Sequence, residues 1–116
     1  MRVISTKTHG AIDYMTGAAL LAAPALLGIS DEPAASRVFR AAGLAAAAYS
    51  LLTDYEFGLV RVIPMPAHLA MDAASGALMA ASPWLFGFGS RGPRYRLPHA
   101  VVGAAEVLAA LTSKTR

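Results

Sequence analysis

A segment near the N-terminus of this chain returns almost sixty residues later. His9–Gly28, HGAIDYMTGAALLAAPALLG, aligns without a gap on His68–Gly87, HLAMDAASGALMAASPWLFG, with nine identities in twenty positions. Several other pairs are close in type, including Thr16 with Ser75, Ile12 with Met71 and Leu20 with Met79. A fainter echo links the segments that follow, at an offset of 60, through Gly43/Gly103, Ala45/Ala105 and Leu51/Leu111. A chain of 116 residues that uses one pattern twice is read as an internal duplication, two small units sharing one core.

Each repeated segment is a long apolar run with Gly at its end, and the pattern predicts helices. The first runs from about His9 to Gly28. Its Ala11–Ile29 core would rise about 28 Å at roughly 1.5 Å per residue, close to the thickness of a bilayer's hydrocarbon. Pro24 removes one of its internal hydrogen bonds. The second helix begins near Ala34 and is rich in Ala and Gly, which suits close helix packing. Leu59–Pro66 is read as a connector and Ala67–Phe88 as the third helix, with Trp84, Phe86 and Phe88 grouped at its far end. A basic turn, Gly89–Arg96, precedes a fourth helix over about Leu97–Thr112. Met1–Thr8 is read as a polar, basic tail.

Composition points the same way. Hydrophobic residues make up 56% of the chain, charged residues 15%, and the mean hydropathy is +0.50, against about 25% charged in ordinary soluble domains. The expected architecture is all-α: a four-helix transmembrane bundle made of two tandem helical-hairpin repeats in parallel orientation. It forms a single membrane domain over 1–116, with repeat 1 at about 9–58 and repeat 2 at about 66–113. Two-helix units return the chain to its starting side, so a parallel pair has its pseudo-axis along the membrane normal. The basic residues divide evenly between the two faces, so they assign no orientation.

The same composition excludes several classes. The net charge of +3 is scattered over segment ends, with no basic stripe interleaved with aromatics, so nucleic acid is not an expected partner. With no cysteine there is no disulfide, thiolate site or cysteine nucleophile. HExxH, GxSxG and phosphate-loop motifs are absent, and the chain is read as leaning away from an enzyme.

The residues left to carry chemistry are few. His9 and Asp13 stand four apart, as do His68 and Asp72, so each pair shares a helix face. If the pseudo-axis joins the first and third helices, two His and two Asp converge. That set would bind a divalent metal such as zinc, the two imidazoles would hold a haem, or the group would relay ions or protons. The leading expectation is a structural cluster without a cofactor, in which each Asp is favoured by the positive end of its helix. Glu106, in the interior of the fourth helix, is an ion or proton candidate, or a carboxyl hydrogen-bonded to Tyr49 or Ser50. Asp54 is a further ion candidate near the same face. His99 is expected near the opposite surface, and Trp84 is read as an interface anchor.

Ser82-Pro83-Trp84, preceded by HLAMDAASGALMAA and followed by Leu-Phe-Gly-Phe, resembles the SPW-repeat family of small bacterial integral membrane proteins. The first copy keeps only the proline, in Ala23-Pro24-Ala25. The resemblance implies a four-span membrane protein of the bacterial inner membrane and carries no catalytic residues. The function expected is a non-enzymatic membrane binding or scaffold protein, with the lipid bilayer and further copies of itself as partners. The alternatives are a small ion- or proton-coupled transporter using Glu106 and the His/Asp pairs, and a metal- or haem-binding redox protein.

Overall fold

Proline and glycine set the ends of the four helices. The computed structural model describes residues 2–116, as α1 (Thr6–Leu26), α2 (Pro33–Leu51), α3 (Met65–Leu85) and α4 (Pro93–Thr112), with a 3₁₀ turn at Phe88–Arg91. Three of the helices carry Pro in their first two positions, where its missing N–H costs nothing. α1 instead is capped by Ser5, whose hydroxyl accepts from the Thr8 N–H at 3.1 Å. Gly28 ends α1 at φ 68°, and the Ile29 N–H returns to the Pro24 carbonyl at 3.0 Å. That places Ile29, fully buried, in the apolar core beside Leu20, Phe39, Met79 and Phe88.

The strongest packing joins α1 to α2 and α3 to α4, with α2 against α3 between the two hairpins. Each hairpin closes on a pair of glycines. A Cβ on Gly43 would lie 2.8 Å from the Gly17 carbonyl oxygen, and a Cβ on Gly103 would lie 2.4 Å from the Gly76 carbonyl oxygen. Backbone therefore meets backbone at both crossings, which only glycine allows.

Matching straps close one end of the bundle. Val62 and Ile63 donate backbone hydrogen bonds to the Leu52 carbonyl, and Asp54 donates to that of Ile63. In the same pattern, Val3 and Ile4 donate to the Thr112 carbonyl and Lys114 donates to that of Ile4. The segment before each odd-numbered helix is thereby tied to the end of α2 or α4.

Some expected boundaries shift. Residues 3–4 are strap and Thr6 is already helical, so Met1–Thr8 is not a free tail over its described part. α4 starts at Pro93, one turn ahead of the expected Leu97, and absorbs half of the expected basic turn.

The helices have 19 to 21 residues, but no helix among the described residues is long and apolar enough to cross a membrane. The expectation of four spans is not met helix by helix. The physical reason lies in the residues each helix turns inward: His9 and Asp13 in α1, His68, Asp72 and Ser82 in α3, and His99 in α4 are all buried polar groups that lower its mean hydropathy. The outward faces are apolar instead, with Met15, Leu26, Leu44, Leu78, Val101 and Leu108 all exposed.

Candidate metal centre

The N-terminal ends of α1 and α3 meet, and the two HxxxD pairs form one cluster. A ring atom from each histidine and a carboxylate oxygen from each aspartate all lie within 4.8 Å of one another. His9 Nε2 is 2.7 Å from Asp72 Oδ2 and 3.1 Å from Asp13 Oδ1. His68 Nε2 is 2.9 Å from Asp13 Oδ2 and 3.1 Å from Asp72 Oδ2. Both histidines are buried, as are both aspartates.

The opposite ring nitrogens define what these Nε2 atoms offer. His9 Nδ1 is 2.6 Å from Ser113 Oγ, and that hydroxyl donates its own hydrogen to the Ala109 carbonyl at 2.6 Å. His68 Nδ1 is 2.7 Å from Thr53 Oγ1, which donates to the Tyr49 carbonyl at 2.7 Å. A hydroxyl has one hydrogen, so each must accept at its other contact, and each Nδ1 must be an N–H donor. The neutral form of either ring then points the lone pair of Nε2 at carboxylate oxygens. Lone pair against lone pair is repulsive, so a cation belongs between them, either a proton on each Nε2 or a metal ion.

The carboxylates are held from outside by phenols. Tyr55 donates to Asp13 Oδ2 at 2.8 Å and Tyr49 donates to Asp72 Oδ1. Burial pushes the Tyr55 phenol above its ordinary range, so it stays a donor at every physiological pH. Thr53, Ser113, Tyr49 and Tyr55 were not singled out as site residues from the sequence. Thr53 and Ser113 had a signal: they stand 60 apart, the offset of the fainter repeat.

The donor set fits a small four-coordinate ion. Zinc takes nitrogen at about 2.0–2.1 Å and carboxylate oxygen at about 2.0–2.2 Å, so the edges of its tetrahedron are about 3.3 Å. The four His–Asp contacts of 2.7–3.1 Å would open by a few tenths of an ångström, with one Asp13 oxygen replacing the two that now face His9 and His68, and all four donors already lie within 4.8 Å of one another. Hydroxyl acceptors on the far nitrogens are the outer partners that orient metal-bound imidazoles. A haem does not fit, because both carboxylates bridge the two Nε2 atoms and fill the space that a macrocycle between them would need.

The remaining candidates scatter. Asp54 is exposed in the strap and outside the cluster. Its neighbour Glu56 accepts from Thr6 Oγ1 at 2.8 Å, tying the turn to α1. Glu106 lines a cavity of about 350 Å³ that also reaches His9, Asp13 and Asp72. Of its two expected partners, Tyr49 is committed to Asp72 and the buried Ser50 hydroxyl makes no hydrogen bond among the described residues. Trp84 is 63% exposed at the end of α3, while Ser82 and Pro83 are buried and Ser82 Oγ donates to the Met79 carbonyl at 2.6 Å.

His99 departs from its expected place at a surface. It lies at the opposite end, as expected, but is fully buried, stacked on Phe39 at 3.9 Å with Nε2 donating to the Ala35 carbonyl at 2.9 Å. The earlier start of α4 and the cover of Phe88 account for this. Outside it, Arg91 bonds Asp31 at 2.9 Å and Glu32 at 2.8 Å. The Arg91 guanidinium holds the Asp31 carboxyl below the usual carboxylate range.

These features define an all-α protein of four helices whose two HxxxD segments meet in one buried polar cluster. The chain belongs to the SPW repeat domain family, whose family model matches residues 7–113. The family's tripeptide is Ser82-Pro83-Trp84. No curated protein and no solved structure matches the chain.

Proposed function

We propose that this is a non-enzymatic, membrane-embedded binding protein that holds one divalent transition-metal ion, of the zinc type, between His9, Asp13, His68 and Asp72. The observation that carries the reading is the pair of committed Nδ1–H groups, which leaves two Nε2 atoms facing two carboxylates across less than 4.8 Å. Two imidazoles and two carboxylates favour zinc and its neighbours over magnesium or calcium, which prefer six or more oxygens. All four positions of a tetrahedron are filled by side chains. Catalytic zinc sites keep one position for water or substrate, so this one is a binding or structural site.

Membrane embedding is supported by where charge lies. Between Lys7 and Asp31 the one carboxylate is Asp13; between Arg61 and Arg91 it is Asp72; between Arg96 and Lys114 it is Glu106; Ala41–Thr53 has none. All other charges except the exposed Arg40 of α2 sit toward helix ends or in connectors, around a belt of exposed Leu, Val and Met. Lipid meets that outer belt and never the inward polar groups, which is why hydropathy averaged over a whole helix understates it. Trp84 serves as an interfacial anchor at the belt's edge. The compartment that fits this reading is the bacterial inner membrane, with further copies of the chain covering part of the apolar surface.

The test is the metal content of protein extracted in detergent without chelators, beside a His9→Ala/His68→Ala variant. One equivalent of zinc per chain in the parent and none in the variant is the expected result. Equal, substoichiometric metal in both would leave the cluster as a purely structural ion-pair group.

A further inference from the structure

The cavity beside Glu106 has a counterpart in the other half of the molecule, and the two differ in charge. The first lies between α1, α2 and α4, lined by Ile12, Leu20, Val101, Val102 and Ala105, with a volume of about 350 Å³. The second lies between α2 and α3, with about 540 Å³, lined by Met79, Ala41, Ala42 and Ala45 at the repeat positions of Leu20, Val101, Val102 and Ala105, and by Leu78. The first carries a carboxylate, Glu106, whose repeat counterpart is Ala46, and Ala46 and Tyr49 line this same first cavity. The Tyr49 hydroxyl is bonded to Asp72. The first cavity thus has a carboxylate with no counterpart on the wall of the second, and it opens at the surface, where Val101 is 63% exposed.

Glu106 is half-buried and makes no hydrogen bond or ion pair among the described residues. A carboxylate held against apolar walls without a partner is costly, and a cation brought to it recovers that cost. The lining also includes His9, Asp13, Tyr49 and Asp72, but these are engaged with one another, and the remaining wall of Ile, Leu, Val and Ala offers a hydrated inorganic ion little in return for its water. An apolar molecule carrying one positive charge matches both features. The volume is at the lower end of the range for organic-ligand sites, about 300–1,000 Å³. We infer that the α1–α4 cavity is a binding site for a lipophilic organic monocation, an aliphatic or aromatic ammonium compound, with Glu106 as the counter-charge. The second cavity, with no carboxylate on its wall and Arg37 there instead, rejects the same ligand.

The experiment is an NMR titration of detergent-solubilised, methyl-labelled protein with benzyltrimethylammonium, beside its uncharged isostere neopentylbenzene. The expected result is saturable shifts at Ala105, Ala109, Val101 and Val102 for the cation, weakened about tenfold or more in Glu106→Gln, equivalent to loss of one partly desolvated charge pair. Ala109→Phe, which keeps Glu106 and fills the space, should abolish the shifts. Equal binding of the neutral isostere would overturn the inference in favour of an apolar chain. Unchanged affinity in Glu106→Gln, or shifts confined to the α2–α3 cavity, would overturn it outright. The cavity borders His9, Asp13 and Asp72, but Glu106→Gln and Ala109→Phe change none of the four donors, so failure here is distinguishable from failure of the metal test.

Discussion

At the closed end of the bundle the first hairpin gives His68 a hydroxyl acceptor, Thr53 at 2.7 Å, and the second gives His9 its counterpart, Ser113 at 2.6 Å. One turn earlier on the same helices, Tyr49 of the first hairpin corresponds to Ala109 of the second, and Ala46 corresponds to Glu106. The hairpins therefore agree where they hold the histidines and diverge where they line cavities. A four-donor site on a pseudo-axis needs both halves to supply the same atoms in the same orientation. A cavity wall beyond the four donors is under no such constraint: Ala46, Tyr49, Glu106 and Ala109 line one cavity together and differ between the halves. The far end diverges as well: Phe39 and His99 are repeat counterparts, yet they stack on each other as a ring pair with one polar member.

The largest effect expected from breaking the agreement comes from the carboxylates. Asp72→Ala leaves both imidazoles without their shared Oδ2 contact and should abolish metal binding. Removing one member of a buried ion pair costs about 3–5 kcal/mol, and detergent-titrated unfolding would measure it. Asp13→Ala should lose metal equally; retention of metal by either variant would mean that the four donors do not act as a set.

Next come the glycine crossings, which are similar but not equally tight. A Cβ on Gly103 meets backbone atoms of Gly76 and Ala80 at 2.4 Å, whereas on Gly17 its nearest contact is the Gly43 carbonyl at 3.3 Å. Gly103→Ala should destabilise by about 1–3 kcal/mol as α4 is pushed off α3, and Gly17→Ala by clearly less. Equal losses would show that the hairpins adjust as one body.

The hydroxyl partners should be interchangeable in effect. Thr53→Val and Ser113→Ala each free one Nδ1–H and should each weaken metal affinity about 10–100-fold, the usual cost of losing an outer partner of a ligating histidine. A loss at one position alone would break the equivalence of the two halves.

The smallest effect belongs to the opposite end. Asp31 has its pKa lowered by Arg91, so its contribution to stability is present above the usual carboxylate range and is lost as pH falls below it. The groups are exposed, so Arg91→Ala should remove only a slight acid-side dependence of the unfolding midpoint and leave metal binding unchanged.

Much of this site is written in the chain. The repeated HxxxD pairs, their offset and the glycines one turn later were enough to bring four donors together on paper, because a duplication that pairs its copies must superpose equal positions. Thr53 and Ser113 were harder to see, since small hydroxyls are common and only the tertiary contact makes them acceptors for Nδ1–H. Tyr55 lies in a connector that sequence periodicity does not place. His99 was misplaced because Pro93, at a position where helices favour proline, was read as part of a turn, which moved α4 by a turn. Hydropathy averaged over a helix does not locate the cluster, because α1 and α3 carry their buried polar residues on one inward face.

Cobalt(II) titration of chelator-treated protein, followed by visible absorption and then by competition with zinc, tests the central claim most directly. The account requires saturation at one cobalt per chain with the intense bands of a tetrahedral nitrogen–oxygen site, displacement by zinc, and no spectrum in the His9→Ala/His68→Ala variant. A weak octahedral spectrum that does not saturate, or one that the double variant retains, would contradict it.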